Sequence, residues 1–159
     1  MLAVHQKKMK TIENKSNKDS LIARIEKLSP ESRAVWGKMN AGQMLCHLTD
    51  QMRHAMSEKK IPLDTNLFFS TLGKWLVLYV MPVPRNVPTS PGVDQMKDGT
   101  KPTDFESDRK TLLGFIEKMP TLPEDFSWSP HFKFGAMNKK QWCRLTYKHA
   151  DHHLRQFGV

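Results

Sequence analysis

The C-terminal segment of the chain is rich in histidine, a side chain that binds metal ions and exchanges protons. Three of the seven histidines lie within five positions, at His149, His152 and His153. Residues four apart share one face of an α-helix, so His149 and His153 point the same way, one turn apart. Two imidazoles in this arrangement can reach one ion at about 2.0–2.1 Å, the distance typical of zinc. The spacing makes this pair candidate metal ligands, and the alternative is a solvated polar helix end.

A third candidate ligand, His47, lies on a second predicted helix. Its face of that helix also carries Met44, Leu48 and Gln51. These neighbours indicate that the imidazole points inward, where it is either a metal ligand or a buried core histidine. Three neutral imidazoles from two facing helices would leave positions on the ion open to water or substrate. Nickel, zinc and ferrous iron all accept such ligands.

Further polar side chains are predicted to lie near this centre, and none of them is assigned a catalytic role. His152 is about 100° from His153 around the helix, so we place it at the rim. Gln156 lies on or near the stripe of the histidine pair, and His131 stands in the loop before the last helix, where it lines a pocket or packs within the loop. His54 is interpreted as a surface residue. No HExxH sequence is present, which disfavours a zincin peptidase.

The apolar pattern predicts four helices that must position these residues. Helix one starts near Asp19, helix two covers Ala41 to Glu58, helix three opens in a capping box at Thr103, and helix four runs from Asn138 to Gly158. Strand signals are weak, so we predict an all-α fold built as a four-helix bundle. Residues 1–18 are interpreted as a basic, flexible tail, and residues 19–159 as a single domain.

A long connection separates helix two from helix three. Its first part, Asn66 to Tyr79, predicts an accessory helix. Its second part, residues 82–102, is rich in proline and glycine and predicts an extended loop that packs over the surface. Loops of this length without regular structure are often functional.

Similar sequences precede helices two and four. Residues 36–43 read WGKMNAGQ and residues 134–141 read FGAMNKKQ. In both copies the asparagine is placed as an N-cap, and the glutamine three residues later can complete a capping box. The repeat predicts two helices that begin in the same way after an aromatic-glycine turn. A bundle with approximate two-fold symmetry would then bring the faces of helices two and four together.

Length, charge and cysteine content narrow the class of protein. The chain has 159 residues, which fits one domain, and no apolar run reaches the roughly 18 residues of a membrane span. Two distant cysteines and the lack of a signal-peptide pattern predict a cytoplasmic protein with reduced thiols. The net charge is +9, but residues 1–18 hold five lysines against one glutamate. Because no basic stacking pattern accompanies the charge, nucleic-acid binding is not expected as the main function.

Two segments, WGKMNAGQMLCHL and HFKFGAMNKKQWCRLTYKHADHHLRQFG, resemble the DinB-like superfamily, the damage-inducible DinB/YfiT-like proteins, in a branch of unassigned function. The resemblance implies a four-helix bundle with a long connection between helices two and three. It also implies a divalent metal held by three histidines, which by motif are His47, His149 and His153. Gln156 matches a polar position that follows the last ligand in many members.

Members of this superfamily include metal-dependent transferases that use low-molecular-weight thiols such as mycothiol or bacillithiol, a thiol-dependent isomerase and hydrolase-like proteins. The resemblance implies an enzyme that acts on a small-molecule substrate, either a thiol S-transferase or a hydrolase, with a nickel, zinc or iron ion and a low-molecular-weight thiol as cofactors. Two alternatives stay open: a non-catalytic module that binds a metal or small ligand, and a DNA-damage-associated binding protein. A homodimer is considered as the assembly.

Overall fold

The computed structural model describes residues 9–85 and 87–159, and within these ranges it contains helices and no β-strand. This confirms the predicted all-α class. The long α-helices are α1 (Lys15–Glu26), α2 (Ala41–Ala55), α3 (Phe105–Lys118) and α4 (Lys139–Gln156). α1 and α2 each pack against both α3 and α4. α2 and α4, which carry the candidate ligands, are therefore direct neighbours.

Apolar residues at helical spacing form the core between these helices. Residues three and four apart point to the same side of a helix, so the apolar residues of each helix can face the core together. The buried side chains include Leu21, Ile25, Met44, Leu45, Leu48, Met52, Leu112, Ile116, Trp142, Leu145 and Leu154. Burying one such large apolar side chain stabilises a fold by roughly 1.5–3 kcal/mol relative to leaving it exposed. This apolar core thus fixes the relative positions of α2 and α4, which carry the candidate ligands.

The predicted repeat before α2 and α4 is present as a repeat of backbone conformation. Gly37 and Gly135 both have positive φ, +83° and +64° respectively. Asn40 and Asn138 each cap their helix, and both capping boxes are complete. Glycine suits the two turns because L side chains are strained at these φ values. The two helices therefore begin in the same way, as predicted.

α1 begins at Lys15, four residues before the predicted start at Asp19. Its N-cap is Asn14, whose side chain accepts a hydrogen bond from the backbone N–H of Asn17. Ile12 precedes the cap and is only 1% exposed, packed into the core. Residues 1–8, which form the first part of the predicted tail, lie outside the described residues.

The ends of α2 and α3 also differ slightly from the sequence prediction. α2 ends at Ala55 rather than Glu58, and Ser57 beyond it adopts a positive φ of 64°. The N-cap of α3 is Asp104 rather than Thr103. Thr103 instead donates both its backbone N–H and its hydroxyl to the Asp108 carboxylate.

The predicted accessory helix in the connection between α2 and α3 is observed. It spans residues 67–80 and contains two π-helical stretches, Phe69–Gly73 and Leu76–Val80. Lys148 of α4 attaches the end of this helix to the core by donating to the carbonyls of Val77 and Met81. Its outer face leaves large apolar side chains exposed, namely Leu67, Phe68, Phe69, Leu72, Trp75, Tyr79 and Val80.

The proline-rich part of the connection contains a 3₁₀ turn at Pro91–Val93. We refer to residues 91–101 as the strap, because this segment lies across α2 near its histidine. None of the helices in the described ranges has both the length and the apolar character that crossing a bilayer requires.

Candidate metal centre

Three imidazoles converge between α2 and α4. The Nε2 atom of His149 lies 3.0 Å from Nε2 of His47 and 3.0 Å from Nε2 of His153. His47 and His153 are buried, whereas His149 is half-buried. One ring nitrogen from each residue lies within 4.8 Å of the others, so the cluster could hold a metal ion. The structure thus brings together the three histidines predicted as ligands, and their binding of an ion stays a prediction.

Two of these imidazoles have their Nδ1 atoms against hydrogen-bond acceptors. Nδ1 of His47 lies 2.6 Å from the carbonyl oxygen of Val93, which can only accept, so Nδ1 carries the proton. Nδ1 of His153 lies 2.7 Å from Oε1 of Gln156. The orientation of the Gln156 amide follows from its other end, because Nε2 donates to the Trp36 carbonyl at 2.6 Å. A neutral imidazole with its proton on Nδ1 has a free lone pair on Nε2.

The third imidazole follows the same pattern. Nδ1 of His149 lies 2.5 Å from Oε1 of Gln51, which is one turn beyond His47 on α2. When each Nδ1 carries its proton, all three rings would direct an unprotonated Nε2 toward one point. Lone pairs this close repel one another, and a cation between them would convert the repulsion into attraction. A hydrogen bond on the far nitrogen of each ring is the arrangement typical of metal-ligating histidines.

The spacing of the three nitrogens fits a divalent ion. For the two pairs of nitrogens that lie 3.0 Å apart, an ion at about 2.1 Å from each would see the members of a pair at an angle of about 90°. Three protein nitrogens occupy only part of the coordination shell. Nickel, zinc and ferrous iron all accept imidazole donors, so the donor set fits the predicted metals without selecting one.

Burial keeps these imidazoles neutral. It lowers the pKa of His47, and together with the neighbouring His47 ring it lowers the pKa of His153 to about 3. The pKa of His149 is held well below its usual value by burial first, and then by the rings of His153 and His47. Metal binding requires the neutral form of histidine. The centre is therefore already in its binding form near neutral pH.

The aromatic-glycine turn before α2 helps to position a ligand on α4. A Cβ atom on Gly37 would lie 2.3 Å from Nε2 of Gln156, so only glycine leaves room for that amide. The amide in turn reaches the Trp36 carbonyl and orients toward His153. The repeated sequence thus contributes directly to the centre, in addition to starting the helix.

His152, which was predicted at the rim of the centre, lies between His153 and Trp36. Its ring centroid is 5.1 Å from that of His153 and 6.1 Å from that of Trp36. The guanidinium of Arg85 covers the Trp36 ring at 4.0 Å. Burial, followed by the nearby Arg85 charge, lowers the pKa of His152. Its influence on metal binding stays a prediction.

His131 packs within its own loop. Its ring stacks between the rings of Phe132 and Phe134 at centroid distances of 4.4 and 4.6 Å. Its Nδ1 accepts the backbone N–H groups of Lys133 and Phe134. Burial lowers the pKa of His131 to about 3, so the ring is neutral. It is not among the three converging histidines, and its predicted place in a pocket stays untested.

His54 is buried, and its interpretation as a surface residue is wrong. It is 3% exposed. Its ring nitrogens lie 3.0 Å from the Lys59 carbonyl and 3.1 Å from the Pro130 carbonyl. The loop before α4 folds over the end of α2 and covers the ring. Such a contact between distant segments leaves no periodic signal in the sequence.

The sequence did not predict that Gln51 and Val93 contact the histidines. Gln51 lies four residues after His47, and this spacing indicates only that the two share one helix face. Val93 contributes only its carbonyl group, which no side-chain pattern could reveal. Two clefts on the surface of the described residues, of about 460 and 490 Å³, lie around Phe115 and along residues 30–40, and neither is lined by any of the three histidines.

Comparisons with known proteins identify a family. No curated protein and no solved structure is significantly similar to the chain. Residues 7–158 match the family described as protein of unknown function (DUF1569), and because this match spans nearly the whole sequence, the chain belongs to that family.

Proposed function

We propose that this protein is a metal-dependent enzyme of the DinB-like four-helix-bundle type, with a divalent ion bound by His47, His149 and His153. One observation carries the proposal: three Nε2 atoms converge while each Nδ1 faces an acceptor. With the three protons on Nδ1, the Nε2 lone pairs would face one another, and a cation would bind between them. His149 is the most exposed of the three residues, so we propose that a small molecule approaches the ion from its side.

A divalent ion at this centre would supply Lewis-acid chemistry, which lowers the pKa of a coordinated water or thiol near neutral pH. The chain's own groups hold the imidazoles in place. Gln51, Gln156 and the Val93 carbonyl retain the Nδ1 protons and so keep each Nε2 directed inward. We propose thiol S-transfer as the first reaction class and hydrolysis as the second, on a small-molecule substrate in the cytoplasm.

The protein's own thiols are poorly suited to act as the nucleophile. Cys46 and Cys143 are both buried and free. Burial raises the pKa of each thiol to about 12, so both stay protonated near pH 7. The thiolate is the nucleophilic form of cysteine. This supports a low-molecular-weight thiol, or water, as the attacking species.

The main competing function is a binding module in which the ion has only a structural role. Structural zinc sites usually have four protein ligands, often cysteines. The cluster found in the described residues has three histidines and no cysteine. The number of ligands thus favours a site with open positions.

The first prediction is that protein purified without a histidine tag carries or takes up one divalent ion per chain. Elemental analysis and titration of the chelated protein would measure the stoichiometry. We expect the circular dichroism spectrum to persist after chelation, because the apolar core contains none of the three histidines. Unfolding on chelation would favour the structural role, and failure to bind nickel, zinc or iron would contradict the metal centre itself.

The predicted homodimer has a candidate surface on the outer face of the accessory helix. Seven apolar side chains of residues 67–80 are between 38% and 80% exposed there. A standard interface buries about 800 Å² per partner, so these side chains would form the apolar centre of a larger contact. Soluble monomers seldom expose large contiguous apolar patches. We therefore propose that a second copy of the chain covers this face.

We expect sedimentation velocity to show a dimer for the wild type and a monomer for a Leu72→Glu, Trp75→Glu variant. Val87→Glu adds a charge at an exposed apolar position outside the accessory helix and should leave the dimer intact. A monomeric wild type would overturn the dimer. Binding of that monomer to anionic vesicles would then assign the face to a membrane surface.

A further inference from the structure

A fully buried carboxylate links α2 to the strap. The Asp50 side chain is 0% exposed. Its oxygens accept hydrogen bonds from the Thr100 backbone N–H at 2.8 Å, the Thr100 hydroxyl at 2.6 Å and the Gln95 amide at 3.1 Å. Lys59 balances the charge at 2.8 Å, with Arg53 at 3.7 Å. A buried carboxylate with this many donors fixes the groups around it.

The strap between these anchor points is a compact turn. The backbone N–H of Gly99 donates to the Asp94 carbonyl at 2.9 Å, and that of Asp98 donates to the Pro91 carbonyl at 3.2 Å. A Cβ on Gly99 would lie 2.7 Å from the Asp94 carbonyl oxygen, so the turn closes tightly. Val93, whose carbonyl faces His47, lies within this turn. Holding one end of the strap therefore sets the position of the other.

We propose that Asp50 is a positioning residue for the metal centre, which it serves by holding the strap so that the Val93 carbonyl stays against Nδ1 of His47. Asp50 stands three residues after His47 on α2. The strap thus contacts α2 at two neighbouring turns, at Asp50 and at His47. The expected effect on metal affinity rests on the proposed function. The coupling of the strap to His47 does not.

The carboxylate is suited to this task because all of its close partners are donors. The amide of an asparagine has one oxygen, and its NH₂ group would face the Thr100 or Lys59 donors without an acceptor. Asp50→Asn should therefore loosen the strap while changing the volume of the side chain very little. The Val93 carbonyl would no longer select the Nδ1–H form of His47, and the Nε2 lone pair would be available only part of the time.

The test compares Asp50→Asn with the wild type in two measurements. Zinc titration should show an affinity 10- to 100-fold lower, the usual effect of losing a group that orients a metal ligand. Long-range ¹H–¹⁵N NMR of the metal-free protein should show Nδ1-protonated His47 in the wild type and a mixture of tautomers in the variant. A merely structural Asp50 would lower the melting temperature but leave the tautomer and the zinc affinity of the folded protein unchanged.

Two further variants make the result decisive. Asp98→Asn is the same substitution at an exposed position on the strap and should match the wild type in both measurements. Thr100→Val removes the hydroxyl donor to Asp50 but keeps the ion pair between Asp50 and Lys59. It takes the place of Asp50→Asn in both measurements if that variant does not fold. Wild-type behaviour of Thr100→Val and Asp50→Asn would overturn the inference. If the wild type bound no zinc, the proposed function would fail, and the NMR comparison would still decide the role of the strap.

Discussion

His149→Ala and His153→Ala are each expected to abolish stoichiometric metal binding, and His47→Ala should do the same. Each substitution removes one of three converging nitrogens, and two imidazoles without a further protein ligand hold an ion weakly. The fold should persist because the removed groups lie beside the apolar core and are not part of it. Isothermal titration calorimetry with nickel, zinc and ferrous iron would measure the loss, with circular dichroism as the check on folding.

Neighbouring polar residues provide matched controls for these three substitutions. His152→Ala changes the same residue type on the same helix, and we expect it only to weaken binding. Gln156→Ala should also cost about 10- to 100-fold, because it frees the ring of His153 without removing the ligand. Complete loss of binding in His152→Ala, with binding retained in His153→Ala, would show that the wrong pair of α4 histidines had been chosen.

Catalysis is the second prediction with a large expected effect. The metal-loaded protein should accelerate the conjugation of a small electrophile with a low-molecular-weight thiol. Chelation should remove the activity, and nickel, zinc or iron should restore it. Stopped assays across a panel of thiols and electrophiles would measure the rate, with the chelated protein and His149→Ala as matched controls.

The pH profile of this reaction shows whether the rate follows the titration of the thiol or that of a group of the protein. A coordinated thiol should titrate well below the roughly 8.5 of a free thiol, so the rate should rise at lower pH than in the uncatalysed reaction. Burial keeps the pKa of His153 near 3, so its protonation should not limit the rate above about pH 6. Metal-loaded protein that is inert with thiols but cleaves esters or amides would replace transfer by hydrolysis. Inertness in both assays would leave the binding module as the better description.

Local signals in the sequence were sufficient for the helices and for part of the centre. Apolar spacing and the Asn–Gln capping boxes identified the N-caps of α2 and α4, because both signals depend on groups within a few positions of one another. The four-residue spacing of His149 and His153 placed them on one face for the same reason. The convergence of His47 with this pair followed only once α2 and α4 were packed together.

The start of α1 and the burial of His54 could not be read from local pattern. Ile12 lies in a stretch of lysines, and its place in the core depends on contact with the rest of the domain. His54 belongs to the polar end of α2 until the loop before α4 covers it. In both cases segments distant in sequence decide the environment.

The sequence by itself determined which residues can bind a metal and which helices carry them, because helical periodicity converts spacing into direction. Only the tertiary structure decided the tautomers. The Val93 carbonyl, Gln51 and the Gln156 amide reach the three Nδ1 atoms from the strap, from the facing helix and through the turn at Trp36. Such hydrogen bonds join atoms that meet only after folding. Every residue has a backbone carbonyl, so residue type does not predict which carbonyl accepts from His47.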